Sequence, residues 1–276
     1  MKTQEERLNY LIEKFKEESL EYKNLKTPAG VEDKKVLLRS LMNVRPPKET
    51  SGKILKVQDE YLTKRNKEKG IVYLKDIKTI KETVNSKHPY SDKISVWQGD
   101  ITKLSCDAIV NAANSQMLGC FVPMHTCIDN CIHTFAGVQL RYECNKIMNE
   151  FRKKYGDDYE QPTSVPIITD GYNLPAKKVI HVAGPVVTGK LTKSLEQDLK
   201  NCYKNILDIC VENNLRSVAF CCISTGVFHF PNERAAELAV ETVTNWLKQN
   251  ENKIDRVVFN VFKPEDKFCY EQFLQQ

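Results

Sequence analysis

From about Ile71 onward, short apolar runs alternate with longer segments of helical periodicity, and this alternation limits the possible folds more than any other feature. Several of the runs lack polar alternation, which is typical of strands covered on both faces in α/β proteins. The candidate strands are residues 71–74, 94–98, 107–111, 165–168, 179–183, 217–223 and 256–261. The candidate helices are residues 129–154, 194–213 and 232–249. The pattern predicts an α/β domain.

The first quarter of the chain shows helical periodicity alone, without strand-like runs. The predicted helices are residues 3–24, 31–44 and 55–69. The segment Arg45-Pro46-Pro47 ends the second helix, because proline lacks an amide donor and restricts the residue before it. The sequence therefore predicts two parts, an N-terminal helical extension at residues 1–70 and an α/β domain at residues 71–276.

Composition excludes several classes of protein. No window approaches about 18 uncharged apolar residues, so we expect no membrane helix, and the charged N-terminus lacks the apolar core of a secretory signal. The net charge is +5, and the whole excess lies in residues 1–70, which hold 17 Lys and Arg against 12 Asp and Glu. No basic patch is interleaved with aromatics, so nucleic acid is not an expected partner. We expect a cytoplasmic monomer whose ten cysteines are free thiols or metal ligands.

Ligand-capable side chains crowd into residues 119–133 as nowhere else in the sequence. Cys120, His125 and Cys127 follow a C-x4-H-x-C spacing, with no second pair that would close a structural zinc site. Three ligands and an open fourth position are typical of a catalytic metal. Cys131 is a possible fourth ligand, although its place at the start of a helix fits a core position equally well. The alternative is a set of buried thiols near a chance histidine.

Asp129 follows these residues at the start of a predicted helix. Aspartate is a good helix N-cap, and a carboxylate beside a metal can also hold or deprotonate a water molecule. Both roles are compatible. His133 lies four residues further on the same helical face, where we expect a partly buried histidine whose hydrogen bonds are satisfied.

Three other segments end strands where open α/β sheets bind ligands. Gly99-Asp100 follows one strand, and a simple turn is the alternative there. Asn111-Ala112-Ala113-Asn114 closes another. The loop Ser224–Pro231 offers backbone amides before a helix, either as an anion site or as an ordinary βα turn. Within that loop, Phe228 is an aromatic residue that could stack on a sugar or a base.

Together these segments resemble a macrodomain, and more narrowly the zinc-dependent macrodomain family of ADP-ribosyl hydrolases. The resemblance rests on four segments: residues 99–101, 111–114, 120–133 and 224–228. Supporting segments are Gly171–Pro175 and Val179–Pro185, and Leu41–Pro47 resembles the N-terminal extension of the zinc family. The fold that this implies is a three-layer α/β/α macrodomain sandwich with a mixed central sheet and an N-terminal helical extension.

The resemblance also implies an ADP-ribose site. Asp100 would bond the adenine amine, Ile101 would line the same pocket, and Asn114 would face the distal ribose with Phe228 packed against it. The residues that would wrap the diphosphate are Cys127, Ile128, Asp129, Ser224, Thr225, Gly226, Val227 and Phe228.

In metal-free relatives a glycine-rich loop takes the place of residues 119–127. The resemblance implies one Zn²⁺ per chain, held by Cys120, His125 and Cys127, with Asp129 and Asn114 as catalytic residues. The expected reaction is hydrolysis that removes mono-ADP-ribose from a protein side chain and releases ADP-ribose. The expected partners are ADP-ribosylated protein and ADP-ribose, with no membrane. Two alternatives stay open: a reader that binds ADP-ribose without cleaving it, and a redox-sensing thiol protein.

Overall fold

One mixed six-stranded sheet organises the computed structural model, which describes residues 3–275. The strands are β1 (Val72–Tyr73), β2 (Ile94–Gln98), β3 (Leu104–Ser105), β4 (Ala108–Ala113), β5 (Ile167–Asp170), β6 (Lys178–Ala183), β7 (Ser217–Phe220) and β8 (Arg256–Val261). The helices are α1 (Gln4–Glu17), α2 (Val31–Val44), α3 (Gly52–Glu68), α4 (Ile80–Thr83), α5 (Ile128–Ala136), α6 (Val138–Tyr155), α7 (Lys193–Glu212), α8 (Asn232–Gln249) and α9 (Pro264–Leu274).

The strand order in the sheet is β2-β8-β7-β4-β6-β5. Every pairing in this sheet is parallel except that of β5 with β6. The short strands β1 and β3 form a separate parallel pair. A mixed central sheet flanked by helices, with further helices at the N-terminus, is the architecture that the sequence analysis predicted. Because β2, β4 and β7 run parallel, their carboxyl ends lie at one edge, which is where ligands bind in such sheets.

The N-terminal helices have a hydrophobic cluster of their own. Its members are Leu8, Leu11, Ile12, Phe15, Leu38, Leu41, Met42, Val57, Tyr61 and Leu62, with Val138 of α6 as the contribution from the rest of the chain. Burial of each large aliphatic side chain stabilises the fold by about 1.5–3 kcal/mol. The three helices therefore hold one another in place and rest on the start of α6. The division of the chain into two domains at residue 70 stays a prediction.

Several element boundaries differ from the prediction, and three of these differences bear on the fold. The first helix ends at Glu17 rather than near residue 24, and Leu20 beyond it is 86% exposed, so no buried face continues the helix. The helix predicted at 129–154 is two helices, α5 and α6, separated by Gly137 at φ +108°. A glycine adopts this backbone conformation without steric cost. The strand predicted at 217–223 ends at Phe220.

Helix α9 has no counterpart in the predicted elements, although its Tyr270 and Leu274 are buried in the main core. The apolar residues of α9 are not concentrated on one face of the helix, so the sequence shows little helical periodicity there. Among residues 3–275, no helix has the length and apolar character needed to cross a membrane.

Candidate functional site

The loop between β4 and α5 brings the three predicted ligands together. The ligand atoms of Cys120, His125 and Cys127 all lie within 4.8 Å of one another. The distance from Cys120 Sγ to His125 Nδ1 is 3.6 Å. In a tetrahedral zinc site, Zn–S of about 2.3 Å and Zn–N of about 2.0–2.1 Å place the two ligand atoms about 3.6 Å apart. The donor set and its spacing therefore fit a zinc ion.

These three side chains are also accessible. His125 is exposed, and both cysteines are half-buried. Cys127 is the N-cap of α5, where its Sγ accepts the Asn130 amide at 3.4 Å. Burial, together with the neighbouring Cys120, raises the pKa of the Cys127 thiol to about 12, although the Asn130 amide opposes the shift. A metal that binds here has to displace thiol protons, which makes its affinity depend on pH.

Asp129 lies in the first turn of α5 and is 4% exposed. Cys127, and not Asp129, caps the helix, so the N-cap alternative for the aspartate is wrong. The Asp129 Oδ1 atom accepts a hydrogen bond of 2.7 Å from Asn111 Nδ2. Burial raises the pKa of Asp129 to about 6, although the Asn111 hydrogen bond and the charge of Arg141 oppose the shift. A carboxyl group tuned in this way is typical of a functional site.

A buried hydrogen-bond chain continues from Asp129 into the sheet, and the sequence analysis missed it. Asn111 lies opposite His181 in the pairing of β4 with β6, and its Nδ2 is 3.0 Å from His181 Nδ1. His181 Nε2 is 2.9 Å from Thr169 Oγ1 on β5. Because the Asn111 amide donates to both Asp129 and His181, the His181 proton is on Nε2, toward Thr169. Burial lowers the pKa of His181 to about 3 and keeps the ring neutral.

His133 does not match its prediction. It is 5% exposed, and within residues 3–275 neither ring nitrogen has a hydrogen-bond partner. Its Nε2 lies 3.5 Å from Asp129 Oδ1. A Cβ at Gly119 would meet the His133 ring at 2.8 Å, so only a glycine lets the loop pass this close. Burial, followed by the charges of His181 and Arg141, holds the pKa of His133 well below its usual range.

At the end of β2, Asp100 caps a short 3-10 helix, Ile101–Lys103. Its Oδ1 accepts from the Thr102 amide at 2.9 Å, and its Oδ2 pairs with Lys69 Nζ at 2.9 Å. Burial raises the pKa of Asp100, but Lys69 and Thr102 outweigh burial and keep it below its usual range. Ile101 is 3% exposed beside it. The two predicted adenine contacts therefore lie together at the sheet edge.

The predicted loop 224–228 follows β7 at the same edge. Ser224 adopts φ +66° and is buried, with no partner for its Oγ within residues 3–275. A Cβ at Gly184 would meet this Oγ at 2.1 Å, so Gly184 makes room for the loop. Val227 is 69% exposed, and the Phe228 carbonyl accepts from the Val187 amide at 2.9 Å. Thr225 and Gly226 complete the turn. The roles predicted for these residues in ligand binding stay predictions.

Asn114 follows β4 and shapes the turn that opens the loop carrying Cys120, His125 and Cys127. Its Oδ1 accepts the Gln116 amide at 3.0 Å, and its Nδ2 donates to the Gly119 carbonyl at 3.4 Å. The ends of β2, β4 and β7 thus bring Asp100, Asn114 and Ser224 to one edge, as parallel strands require. The sheet topology accounts for the gathering of residues that are far apart in the sequence.

The cysteines outside the ligand set have environments unlike those of redox-sensing thiols. Burial raises the pKa of the thiols at Cys106, Cys131, Cys144, Cys202, Cys210, Cys221, Cys222 and Cys269. Reactive sensor thiols instead have a lowered pKa and solvent access. The environment of these thiols favours packing or metal ligation.

Comparison with known proteins places this geometry in context. The sequence model of the Macro domain matches residues 110–239. The chain is 47% identical over 272 residues to a protein-ADP-ribose hydrolase of Treponema medium, covering 99% of both chains. It is 44% identical over 273 residues to a protein-ADP-ribose hydrolase of Staphylococcus aureus (strain MRSA252), covering 99% of this chain and 96% of that one.

Two solved structures are also similar. A Trypanosoma brucei macrodomain in complex with ADP-ribose aligns with a TM-score of 0.63 at 26% identity, covering 85% of this chain and 94% of the other. An Oceanobacillus iheyensis macrodomain mutant with ADPR aligns with a TM-score of 0.58 at 34% identity, covering 68% and 95%.

Proposed function

The chain belongs to the macrodomain family, and we propose that it is a zinc-dependent hydrolase that removes mono-ADP-ribose from modified protein side chains. The near full-length relatives named protein-ADP-ribose hydrolase support the enzymatic class. One observation supports zinc dependence. Cys120, His125 and Cys127, whose side chains suit a zinc ion, lie together where the loop meets helix α5, and the buried carboxylate of Asp129 follows two residues after the last of them.

ADP-ribose is the proposed ligand of the sheet edge. Asp100 and Ile101 receive the adenine, and the loops at residues 127–129 and 224–228 lie to either side of the diphosphate. Asn114 and Phe228 hold the distal ribose. The arrangement of three parallel strand ends supports this placement.

Asp129 acts on the reacting atoms. It orients a water molecule or accepts its proton while the water oxygen bonds to the anomeric carbon and the bond from that carbon to the protein side chain breaks. The proton then passes to the departing side chain. Asn111 holds the carboxylate in place through the 2.7 Å hydrogen bond, and His181 in turn orients Asn111. Cys120, His125 and Cys127 would hold a Zn²⁺, which would supply Lewis-acid polarisation of a substrate or water oxygen.

The test is turnover of mono-ADP-ribosylated protein, measured as free ADP-ribose. Asp129→Asn keeps the size of the side chain and removes the base, so we expect a loss of about 100- to 10,000-fold. The matched control is Asp157→Asn, which changes an exposed carboxylate and leaves turnover unchanged. Wild-type turnover in the Asp129→Asn variant would refute the role of this residue.

Zinc dependence is tested separately. Removal of metal with a chelator should abolish turnover, and added Zn²⁺ should restore it. Full turnover by metal-free protein would refute the zinc requirement and leave the hydrolase itself standing. A panel of substrates modified on Asp/Glu, Ser or Arg then identifies the linkage that is cleaved.

The alternative is a reader, because the same three strand ends can bind ADP-ribose without cleaving it. Wild-type protein that binds ADP-ribose, contains zinc and releases no ADP-ribose from any member of the panel would establish the reader.

A further inference from the structure

The segment that carries the ligands, residues 119–127, makes few hydrogen bonds within itself. Its internal backbone bond runs from the His125 amide to the Val122 carbonyl at 3.2 Å. Several other backbone groups of the segment are bound by side chains from outside it. Two of those side chains, Arg39 and Asn43, come from helix α2 of the N-terminal extension, more than 80 residues away in the sequence.

Arg39 binds the segment directly and through a second side chain. Its Nη2 donates to the His125 carbonyl at 2.8 Å and to Asn130 Oδ1 at 2.9 Å. Asn130 Nδ2 donates in turn to the Val122 carbonyl at 2.9 Å and approaches the Cys120 carbonyl at 3.4 Å. One guanidinium group is therefore connected to the backbone of two metal-ligand residues.

Asn43 is 1% exposed at the end of α2. Its Oδ1 accepts the Met124 amide at 3.0 Å, and its Nδ2 donates to Thr134 Oγ1 at 3.0 Å. Met124 adopts φ +59°, an unfavourable conformation for this side chain. Asn43 thus holds the residue that turns the chain just before His125.

Arg141, on helix α6, connects the ligand segment to the end of helix α2. Its Nε donates to the Leu118 carbonyl at 2.7 Å, and its Nη2 reaches the Cys120 carbonyl at 3.3 Å. Its Nη1 donates to the carbonyl groups of Asn43 and Arg45 at 2.7 and 2.5 Å. Helix α2 and the ligand segment are therefore tied together at several points.

We propose that Arg39 and Asn43 are positioning residues, which hold the ligand segment in its metal-binding arrangement before the metal binds. The N-terminal extension is then part of the metal site and not only a cover for the domain. A ligand set that is already ordered avoids the entropic cost of being ordered by the metal. Mutation of a residue that supports a metal ligand in this way typically weakens metal binding by about 10- to 100-fold. The inference rests on the metal site of the proposed function.

The test measures Zn²⁺ affinity by competition with a chromogenic chelator, for the full chain. We expect Arg39→Ala to weaken Zn²⁺ binding by about 10- to 100-fold. Arg39→Lys keeps one donor and the charge, so it should restore part of the affinity. The matched control is Arg7→Ala, which removes an arginine of the same extension whose partners are Glu60 and Gln4. This variant should bind Zn²⁺ like the wild type.

A second measurement separates positioning from general stability. In metal-free protein, Arg39→Ala should speed amide hydrogen exchange at residues 122–126 while the melting temperature stays within a few degrees of the wild type. Zn²⁺ affinity in Arg39→Ala equal to that of the wild type would overturn the inference and leave the zinc site intact. Wild-type protein that binds no Zn²⁺ would overturn both the zinc site and the inference.

Discussion

Two groups of histidine and cysteine side chains lie near Asp129, and they differ in what surrounds them. In the ligand group, Cys120, His125 and Cys127 are exposed or half-buried. In the buried group, His133, Cys144 and His181 also have their ligand atoms within 4.8 Å of one another, but all three are 0–5% exposed. The same residue types at similar spacing therefore occur in two different environments.

The two groups differ in burial and, at His181, in the occupation of the donor atoms. Both ring nitrogens of His181 already have partners, Asn111 and Thr169, and Cys144 Sγ lies 3.8 Å from His181 Nε2. Within residues 3–275, the ring nitrogens of His133 have no partner, but this residue is 5% exposed. Burial raises the pKa of Cys144 and lowers that of His181, so both groups are neutral. Proximity alone does not make a metal site, because the donors also need free lone pairs and a route for the ion. The buried group supports Asp129 instead.

The largest expected difference between the two groups is in metal content. Cys127→Ala removes a proposed ligand and should abolish stoichiometric Zn²⁺ binding, whereas Cys144→Ala should keep it. The measurement is bound zinc per chain after gel filtration of each variant. Loss of zinc from Cys144→Ala, with zinc retained in Cys127→Ala, would show that the buried group and not the ligand group binds the ion.

The next largest effect is on stability. His181→Ala removes a buried ring and takes one hydrogen-bond partner each from Asn111 and Thr169, so we expect a loss of about 2–4 kcal/mol in the free energy of unfolding. Urea unfolding of metal-free protein at pH 7 measures it. A loss below about 0.5 kcal/mol would mean that the hydrogen-bond chain does not stabilise the fold.

The low pKa of His181 should also make the free energy of unfolding depend on pH. The folded pKa of His181 is about 3, against an unfolded value near 6.5, so below pH 6.5 the unfolded chain takes up a proton that the native chain does not. Stability is then lost as pH falls from 6.5 toward 3. Between pH 7 and pH 5 this one group should cost the wild type about 2 kcal/mol.

His181→Gln lacks the titrating ring, and its loss of stability over the same pH range should be smaller by that amount. Urea unfolding at the two pH values checks the prediction. Equal pH dependence in the two proteins would contradict a neutral, buried His181.

The smallest effect concerns the exposed histidine of the ligand group. His125→Ala should change the free energy of unfolding of metal-free protein by less than about 0.5 kcal/mol, because exposed side chains contribute little to stability. The same substitution should weaken Zn²⁺ binding strongly. A large loss of stability without metal would show that His125 is a packing residue.

Local patterns were sufficient for much of the fold. Helices α2 and α8 begin and end at the predicted residues, as do strands β2 and β8, because their apolar periodicity is bounded by turn or proline residues. The break at Gly137 was missed, because the apolar pattern continues through it. The proximity of the three proposed ligands could be predicted for a similar reason, since they and Asp129 all lie within ten consecutive residues.

Local sequence patterns therefore predict the alternation of strands and helices, the spacing of Cys120, His125 and Cys127, and the carboxylate that follows them. The distant residues that support these features become visible only in the folded protein. The contact of Asn111 with His181 depends on the register of β4 against β6, and that of Arg39 with His125 spans 86 positions. Such pairs are set by the packing of whole elements against one another, and the periodicity of one element gives its buried face but not the individual residues that this face meets.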